Sequence, residues 1–126
     1  MGVDFERNED TRRDAGALIG TRPRVQVEGA YRRLEHEAAT PGLRTAFSLG
    51  ALDAYGWALG QAVRAPVTGA AVAGLEGVPS SYMLTAELDA AVVQLGDPTE
   101  EAERAAHARG VHDALAWVCG LVDDRP

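Results

Sequence analysis

The sequence contains one cysteine, Cys119, no lysine, and no apolar run close to the length of a membrane-spanning helix. A single cysteine excludes an internal disulfide framework and is compatible with a reducing compartment. A spanning helix needs about 20 apolar residues, and the charged opening MGVDFERNED is unlike a signal peptide. These absences together predict a cytoplasmic protein.

The charge is divided unevenly along the chain, and every basic residue is an arginine. Residues 1–44 hold eight arginines and eight acids, whereas residues 45–126 hold four arginines and eleven acids, which accounts for the net charge of −7. An acidic body repels phosphate, so we do not expect general nucleic-acid binding. Any contact with DNA would use the arginine-bearing N-terminal part.

The length of 126 residues fits one domain with its own core. Residues 1–20 have no sustained periodicity and are predicted to form an N-terminal arm, flexible or docked through Phe5, Leu18 and Ile19. Residues 21–126 are predicted to form a single helical domain. No stretch is typical of a strand, so the predicted fold class is all-α.

Apolar periodicity and capping signals predict two helices in the first half. Thr21 and Pro23 mark the start of the first helix, in which Glu28 and Arg32 have the spacing of an i, i+4 ion pair. The Thr40-Pro41 pair predicts the start of the second helix, which is apolar nearly all round and runs to about Val63.

Two further helices are predicted after a glycine- and proline-rich connector at 65–81. Ser80 or Ser81 caps the third helix and Gly96 ends it. The segment Asp97-Pro98-Thr99-Glu100 predicts the start of the fourth helix, which runs to about Val122. The buried stripe of the third helix is predicted at Leu84, Leu88, Val92 and Leu95, opposite Glu87, Asp89 and Gln94.

The pattern GxxDAxxWxxG occurs twice, as GALDAYGWALG at 50–60 and GVHDALAWVCG at 110–120. Glycine inside a helix costs up to about 1 kcal/mol against alanine, so its repetition predicts a helix-packing motif in which two backbones approach closely. We expect two pseudo-symmetric helix–turn–helix units, at about 25–64 and 82–122. The motif residues are Gly50, Asp53, Trp57, Gly60, Gly110, Asp113, Trp117 and Gly120.

The two repeated aspartates admit two interpretations. On a packed face, each would accept a hydrogen bond, for example from Trp57 or Trp117, or point to a rim. Alternatively, Asp53 and Asp113 with His112 would form the site of a small metal-dependent hydrolase. No third ligand is indicated by the spacing, and neither a metal nor any other cofactor is predicted.

The repeated stretch, with W-x-x-G after an alanine-rich helix as in ALAWVCG, resembles uncharacterised small helical proteins of GC-rich bacteria and their phages. The resemblance covers only the two copies of the motif. It implies an accessory role in a phage or mobile element, and it implies no enzymatic activity.

The leading functional prediction is a non-enzymatic protein–protein interaction or oligomerisation module, acting as a homodimer or with another protein. The predicted contact surfaces flank Trp57 and Trp117 and include the arm. A DNA-binding regulator that uses the Arg-rich first helix is a further alternative, although nucleic acid and membrane are not the expected partners. The candidate partner-binding residues are Phe5, Arg22, Arg24, Arg32 and Arg33.

Overall fold

The computed structural model describes residues 17–71 and 78–126, and this part of the chain has an all-α fold. The predicted fold class is therefore confirmed. No helix among the described residues is long and apolar enough to cross a membrane. The four main helices are α1 (Arg24–Ala39), α2 (Ala46–Ala58), α3 (Ser81–Leu95) and α4 (Ala102–Val118).

A short hairpin precedes α1 and is not predicted by the periodicity of the sequence. Its strands, β1 (Leu18–Ile19) and β2 (Arg22–Pro23), pair antiparallel around Gly20 and Thr21. Gly20 has a φ of 63°, a left-handed conformation that glycine adopts without a steric penalty. Ile19 is buried in the core, whereas Leu18 is exposed. Phe5, the other predicted anchor of the arm, lies outside the described residues.

The last glycine of each repeated motif ends its helix. Gly60 and Gly120 follow α2 and α4 with φ of 83° and 76°. Their N–H groups donate to the carbonyls of Trp57 and Trp117, both at 3.0 Å. This is the Schellman arrangement, in which a left-handed residue satisfies carbonyls that the helix end leaves free. Both glycines therefore lie outside the helices, although the pattern predicts them on the packed helical face.

The boundaries of α2 differ from the prediction at both ends. Thr40 is the C-cap of α1 and not a helix start. The start of α2 is set by Thr45 and Ser48, whose side chains and backbone N–H groups exchange hydrogen bonds in a capping box. The predicted helix ends near Val63 and Val122 are likewise wrong, because the two Schellman glycines stop α2 and α4 earlier.

The segment Asp97–Glu100 forms a turn and does not start a helix. The Asp97 carboxylate accepts hydrogen bonds from the N–H of Thr99 at 2.9 Å and from its hydroxyl at 2.7 Å, and these bonds lower the pKa of Asp97. Because the aspartate closes its own turn, α4 begins later, after Glu101. The predicted signals for α3 are confirmed, since Ser80 is its N-cap and Gly96 its C-cap.

The core is organised by the crossing of α2 and α4, which have the most extensive contact of any helix pair. A Cβ on Gly50 would lie 2.0 Å from the carbonyl oxygen of His107, and a Cβ on Gly110 would lie 2.0 Å from that of Phe47. Only hydrogen fits at either position. The two contacts are reciprocal at this crossing, whereas pseudo-symmetry of the complete helix–turn–helix units stays a prediction.

Aromatic rings fill the core beside this crossing. Tyr55, Trp57 and Trp117 are all buried, and the rings of Tyr55 and Trp117 meet edge to face with centroids 6.0 Å apart. The Tyr55 hydroxyl and the Trp57 indole N–H have no hydrogen-bond partner among the described residues. Burial raises the pKa of the Tyr55 phenol. The suggested bond from Trp57 to Asp53 is therefore not formed.

The buried side of α3 is rotated relative to the predicted stripe. Leu84, Leu88 and Ala91 are buried, as is Glu87, which the apolar pattern places on the wet side. Val92, predicted to be inside, is 51% exposed. The stripe is thus correct at Leu84 and Leu88 and wrong at Val92, and Leu95 is half-buried.

Glu87 explains the rotation because its carboxylate holds the connector. Its oxygens accept hydrogen bonds from the N–H of Val67, from the N–H of Thr68 at 2.9 Å and from the Thr68 hydroxyl at 2.8 Å. Buried carboxylates are tolerated when such donors replace water. Glu87 therefore fixes the turn after α2 against α3.

We expect Gly50→Ala to destabilise the fold by about 3 kcal/mol or more, because the added methyl meets a backbone carbonyl that no side-chain rotation can move. The matched control is Gly29→Ala in α1, where a Cβ meets nothing within 4 Å. That change should stabilise the helix by about 0.5–1 kcal/mol. Urea unfolding of both variants provides the measurement, and equal midpoints would contradict the close crossing.

We expect Tyr55→Phe to keep or raise stability, by up to about 1–2 kcal/mol, because it removes a buried hydroxyl that has no partner. The raised pKa adds a pH dependence. Above the ordinary value of 10.0, the unfolded phenol loses its proton while the folded one keeps it, so the wild type loses stability as pH rises. The phenylalanine variant lacks this loss. A lower melting temperature for Tyr55→Phe at neutral pH would argue for a bonded hydroxyl.

Candidate functional site

The repeated aspartates lie at the rim of the α2–α4 crossing and not on a packed face. The side chain of Asp53 is 56% exposed and that of Asp113 is 42% exposed. His107 Nε2 donates to Asp53 Oδ2 at 2.9 Å, and His112 Nδ1 donates to Asp113 Oδ1, also at 2.9 Å. Each aspartate therefore has a histidine partner, and the partner of Asp53 is one that the sequence pattern does not predict.

The residues of the proposed hydrolase do not assemble into a metal site. No group of three or more His, Cys, Asp or Glu side chains is placed to hold an ion within residues 17–71 and 78–126. Asp53 bonds to His107 and not to His112, so the predicted set is split between two pairs. The metal-dependent alternative has no ligand set to support it in this part of the chain.

A cleft of about 540 Å³ lies beside His107. A histidine held by a carboxylate is the arrangement of a general base, but a hydrolase also needs a nucleophile or an activated water. Burial raises the pKa of the only thiol, Cys119, although a hydrogen bond with Thr85 opposes the shift. No Ser, Thr or Cys is among the described residues that line the cleft, namely Pro66, Val67, Gln94, Glu100, Arg104 and His107.

Arg22, a predicted partner-binding residue, contacts the C-terminal end of α4 within the same chain. Its Nε donates to the carbonyl of Trp117 and its Nη2 to that of Val122, both at 2.7 Å. The guanidinium carbon lies 4.9 Å from the centroid of the Trp117 ring. Thr21 adds two bonds to the Val118 carbonyl. The hairpin thus supplies donors and positive charge where a helix end presents free carbonyls.

The neighbouring arginines also make contacts within the chain. Arg24 pairs with Glu28 at 2.9 Å and donates to the Leu59 carbonyl at the end of α2. Arg33 donates to the carbonyl of Pro126. Arg32 is exposed and makes no ion pair with the described residues, so the predicted Glu28–Arg32 pair is replaced by Arg24–Glu28. Of the four arginines, only Arg32 makes no hydrogen bond or ion pair with the described residues, so its side chain is available to contact a partner.

The surfaces that flank the two tryptophans offer little to a partner, because Trp57 and Trp117 are 1% and 4% exposed. Exposed large apolar side chains are spread over the hairpin, the loops and the C-terminal segment, but among the described helices α3 carries the most of them, namely Tyr82, Val92 and Val93. We call the set Tyr82, Ala86, Asp89 and Val93 the α3 face; its spacing of four, three and four residues places it on one side of the helix. Tyr82 and Val93 are 83% and 75% exposed.

The α3 face is not predicted by the apolar stripe, although its spacing is present in the sequence. The predicted stripe places Val92 in the core. On that prediction, Val93 is an isolated apolar residue on the surface. The buried Glu87 shifts the packed side of the helix toward Ala91, and Val92 and Val93 both become exposed. Two consecutive valines near the end of a helix are the signal that indicates this second apolar side.

Comparisons of the chain with protein-family models, with curated proteins and with solved structures find no match.

We expect Arg22→Ala to lower the free energy of unfolding by about 2–3 kcal/mol, because it removes two charge-assisted bonds, to the carbonyls of Trp117 and Val122, and the stacking on Trp117. The control is Arg32→Ala, which should change stability by less than about 0.5 kcal/mol. Urea unfolding followed by tryptophan fluorescence measures both. A similar small effect for the two variants would show that Arg22 does not hold the hairpin.

Proposed function

We propose that this chain is a non-enzymatic protein–protein interaction module that associates with itself, and that the α3 face is a surface that it uses. The observation that carries the proposal is the exposure of that face. Tyr82 and Val93 project from a helix whose opposite side is packed on α4. Isolated exposed apolar residues are ordinary, whereas apolar residues that line the exposed side of a helix are typical of docking surfaces.

The chemistry of the face suits a helix-on-helix contact. Tyr82 and Val93 are about 16 Å apart along the axis at a rise of about 1.5 Å per residue, and the small Ala86 lies between them. α3 contains no basic residue, and Asp89 is the one charge on the face. Burial of apolar surface at about 25 cal/mol per Å² supplies the driving force.

The two alternatives have less support. A hydrolase built on Asp53, His112 and Asp113 lacks a cluster of ligands among the described residues. A DNA-binding regulator needs exposed arginines, and Arg22 and Arg24 are engaged at helix ends. An accessory role in a phage or mobile element, which the resemblance implies, is compatible with an interaction module and stays a prediction.

We expect Val93→Asp to reduce self-association, because it places a charge in the apolar face and leaves the core unchanged. The matched control is Val63→Asp, since Val63 is also 75% exposed but lies outside α3. Sedimentation of both variants and of the wild type, from roughly 1 μM to several hundred μM, brackets the affinity of a small interface.

A mass that rises with concentration for the wild type and for Val63→Asp, but not for Val93→Asp, would support the proposal. A wild type that stays monomeric over the whole range, or equal association of all three proteins, would overturn it. Unchanged thermal unfolding of Val93→Asp at low concentration serves as the folding control.

A further inference from the structure

We propose that the occupant of the α3 face is the outer side of α1 in a second copy of the chain. We call the set Val25, Gly29, Arg32 and His36 the α1 face. This inference rests on the proposed function and adds the identity of the contacting surface. It is carried by three observations: an unexplained glycine, a matching residue spacing and complementary charge.

Among the described residues, Gly29 makes no contact that requires glycine. It lies inside α1, where glycine costs up to about 1 kcal/mol against alanine. The other glycines within helices are packed: a Cβ on Gly50 or Gly110 would lie 2.0 Å from a backbone oxygen, and one on Gly56 would lie 3.3 Å from the Tyr31 ring. A Cβ on Gly29 would meet nothing within 4 Å. The close approach of a helix from a second copy at this position would explain why residue 29 is glycine.

The two faces have the same spacing, which is four, three and four residues. When the helices lie side by side in the parallel sense, Gly29 faces Ala86 and Arg32 faces Asp89. Val25 then faces Tyr82 at one end and His36 faces Val93 at the other, and Val25 is itself 58% exposed. Small residues at the centre of a helix pair allow close approach of the backbones, as at the α2–α4 crossing inside the chain.

The charges favour this pairing over contact between two α3 faces. The α1 face carries Arg32 and His36, and the α3 face carries Asp89 and no base. Two α3 faces paired in the same parallel sense would place two aspartates opposite each other, in a body whose residues 45–126 already hold the net charge of −7. Opposite charges across an interface promote encounter and fix the register, whereas like charges are unfavourable.

The arrangement of the helices leaves both faces at the outside. The helices contact one another in the order α1–α2–α4–α3, so α1 and α3 each pack on one main partner. A two-fold dimer and a ring of head-to-tail copies both satisfy an α1–α3 contact. The sedimenting mass distinguishes the dimer from the ring. The same residues of α1 and α3 make the contact in either assembly.

Charge reversal tests the pairing of Arg32 with Asp89. We expect Arg32→Asp and Asp89→Arg each to weaken self-association by about fivefold or more, and the double variant to restore it to within about threefold of the wild type. Neither residue makes an ion pair within the described part of the chain, so thermal stability at low concentration should change little. Failure of the double variant to regain association would overturn the inference.

Gly29→Leu tests the close approach independently of charge. Leucine favours helix over glycine and meets open space in the single chain, so the melting temperature at low concentration should rise. At high concentration the same substitution should weaken association by about tenfold or more. If Val93→Asp abolishes association while Gly29→Leu and both charge reversals leave it unchanged, the α3 face binds another surface and only this inference fails. If Val93→Asp has no effect, the proposed function itself fails.

Discussion

The fold depends on one steric constraint, the contact of two helix backbones at Gly50 and Gly110. With a carbonyl oxygen 2.0 Å from each ideal Cβ position, the crossing accepts no side chain at either residue. The cost of two helical glycines, up to about 1 kcal/mol each, is offset because the close approach lets Trp57 and Trp117 fill the adjacent volume. α1 packs on α2, and α3 packs on α4.

The ends of the two central helices complete the constraint. Gly60 and Gly120 turn the chain in left-handed conformations, and arginines of the N-terminal segment supply charge at both ends. Arg24 reaches the Leu59 carbonyl and Arg22 the Trp117 carbonyl. One short stretch thus satisfies free carbonyls on α2 and on α4, which lie far apart in sequence. The basic composition of this stretch is explained by helix capping without any external phosphate.

What the sequence could and could not predict follows from the range of the forces involved. The helices, the caps at Ser80 and Gly96 and the close approach of the two motifs arise from local propensity and steric size, which a sequence displays. The inward position of Glu87 depends on donors in a loop 19 residues earlier in the chain. Asp97 shows the same difficulty at short range, because an aspartate before proline suits a helix cap and a closed turn equally.

Contacts within the chain distinguish the residues of the scaffold from those of the surface. Residues whose type is explained by contacts inside the chain need no partner, and this group includes both tryptophans, Arg22 and Glu87. No contact with the described residues explains Gly29 or the exposed Tyr82 and Val93 of α3. A helical glycine in open space and a bare apolar helix face each lower the stability or solubility of a single copy. A contact between two copies would explain both features. Gly29 allows α1 of one copy to approach closely, and α1 then covers the exposed Tyr82 and Val93 of the other copy.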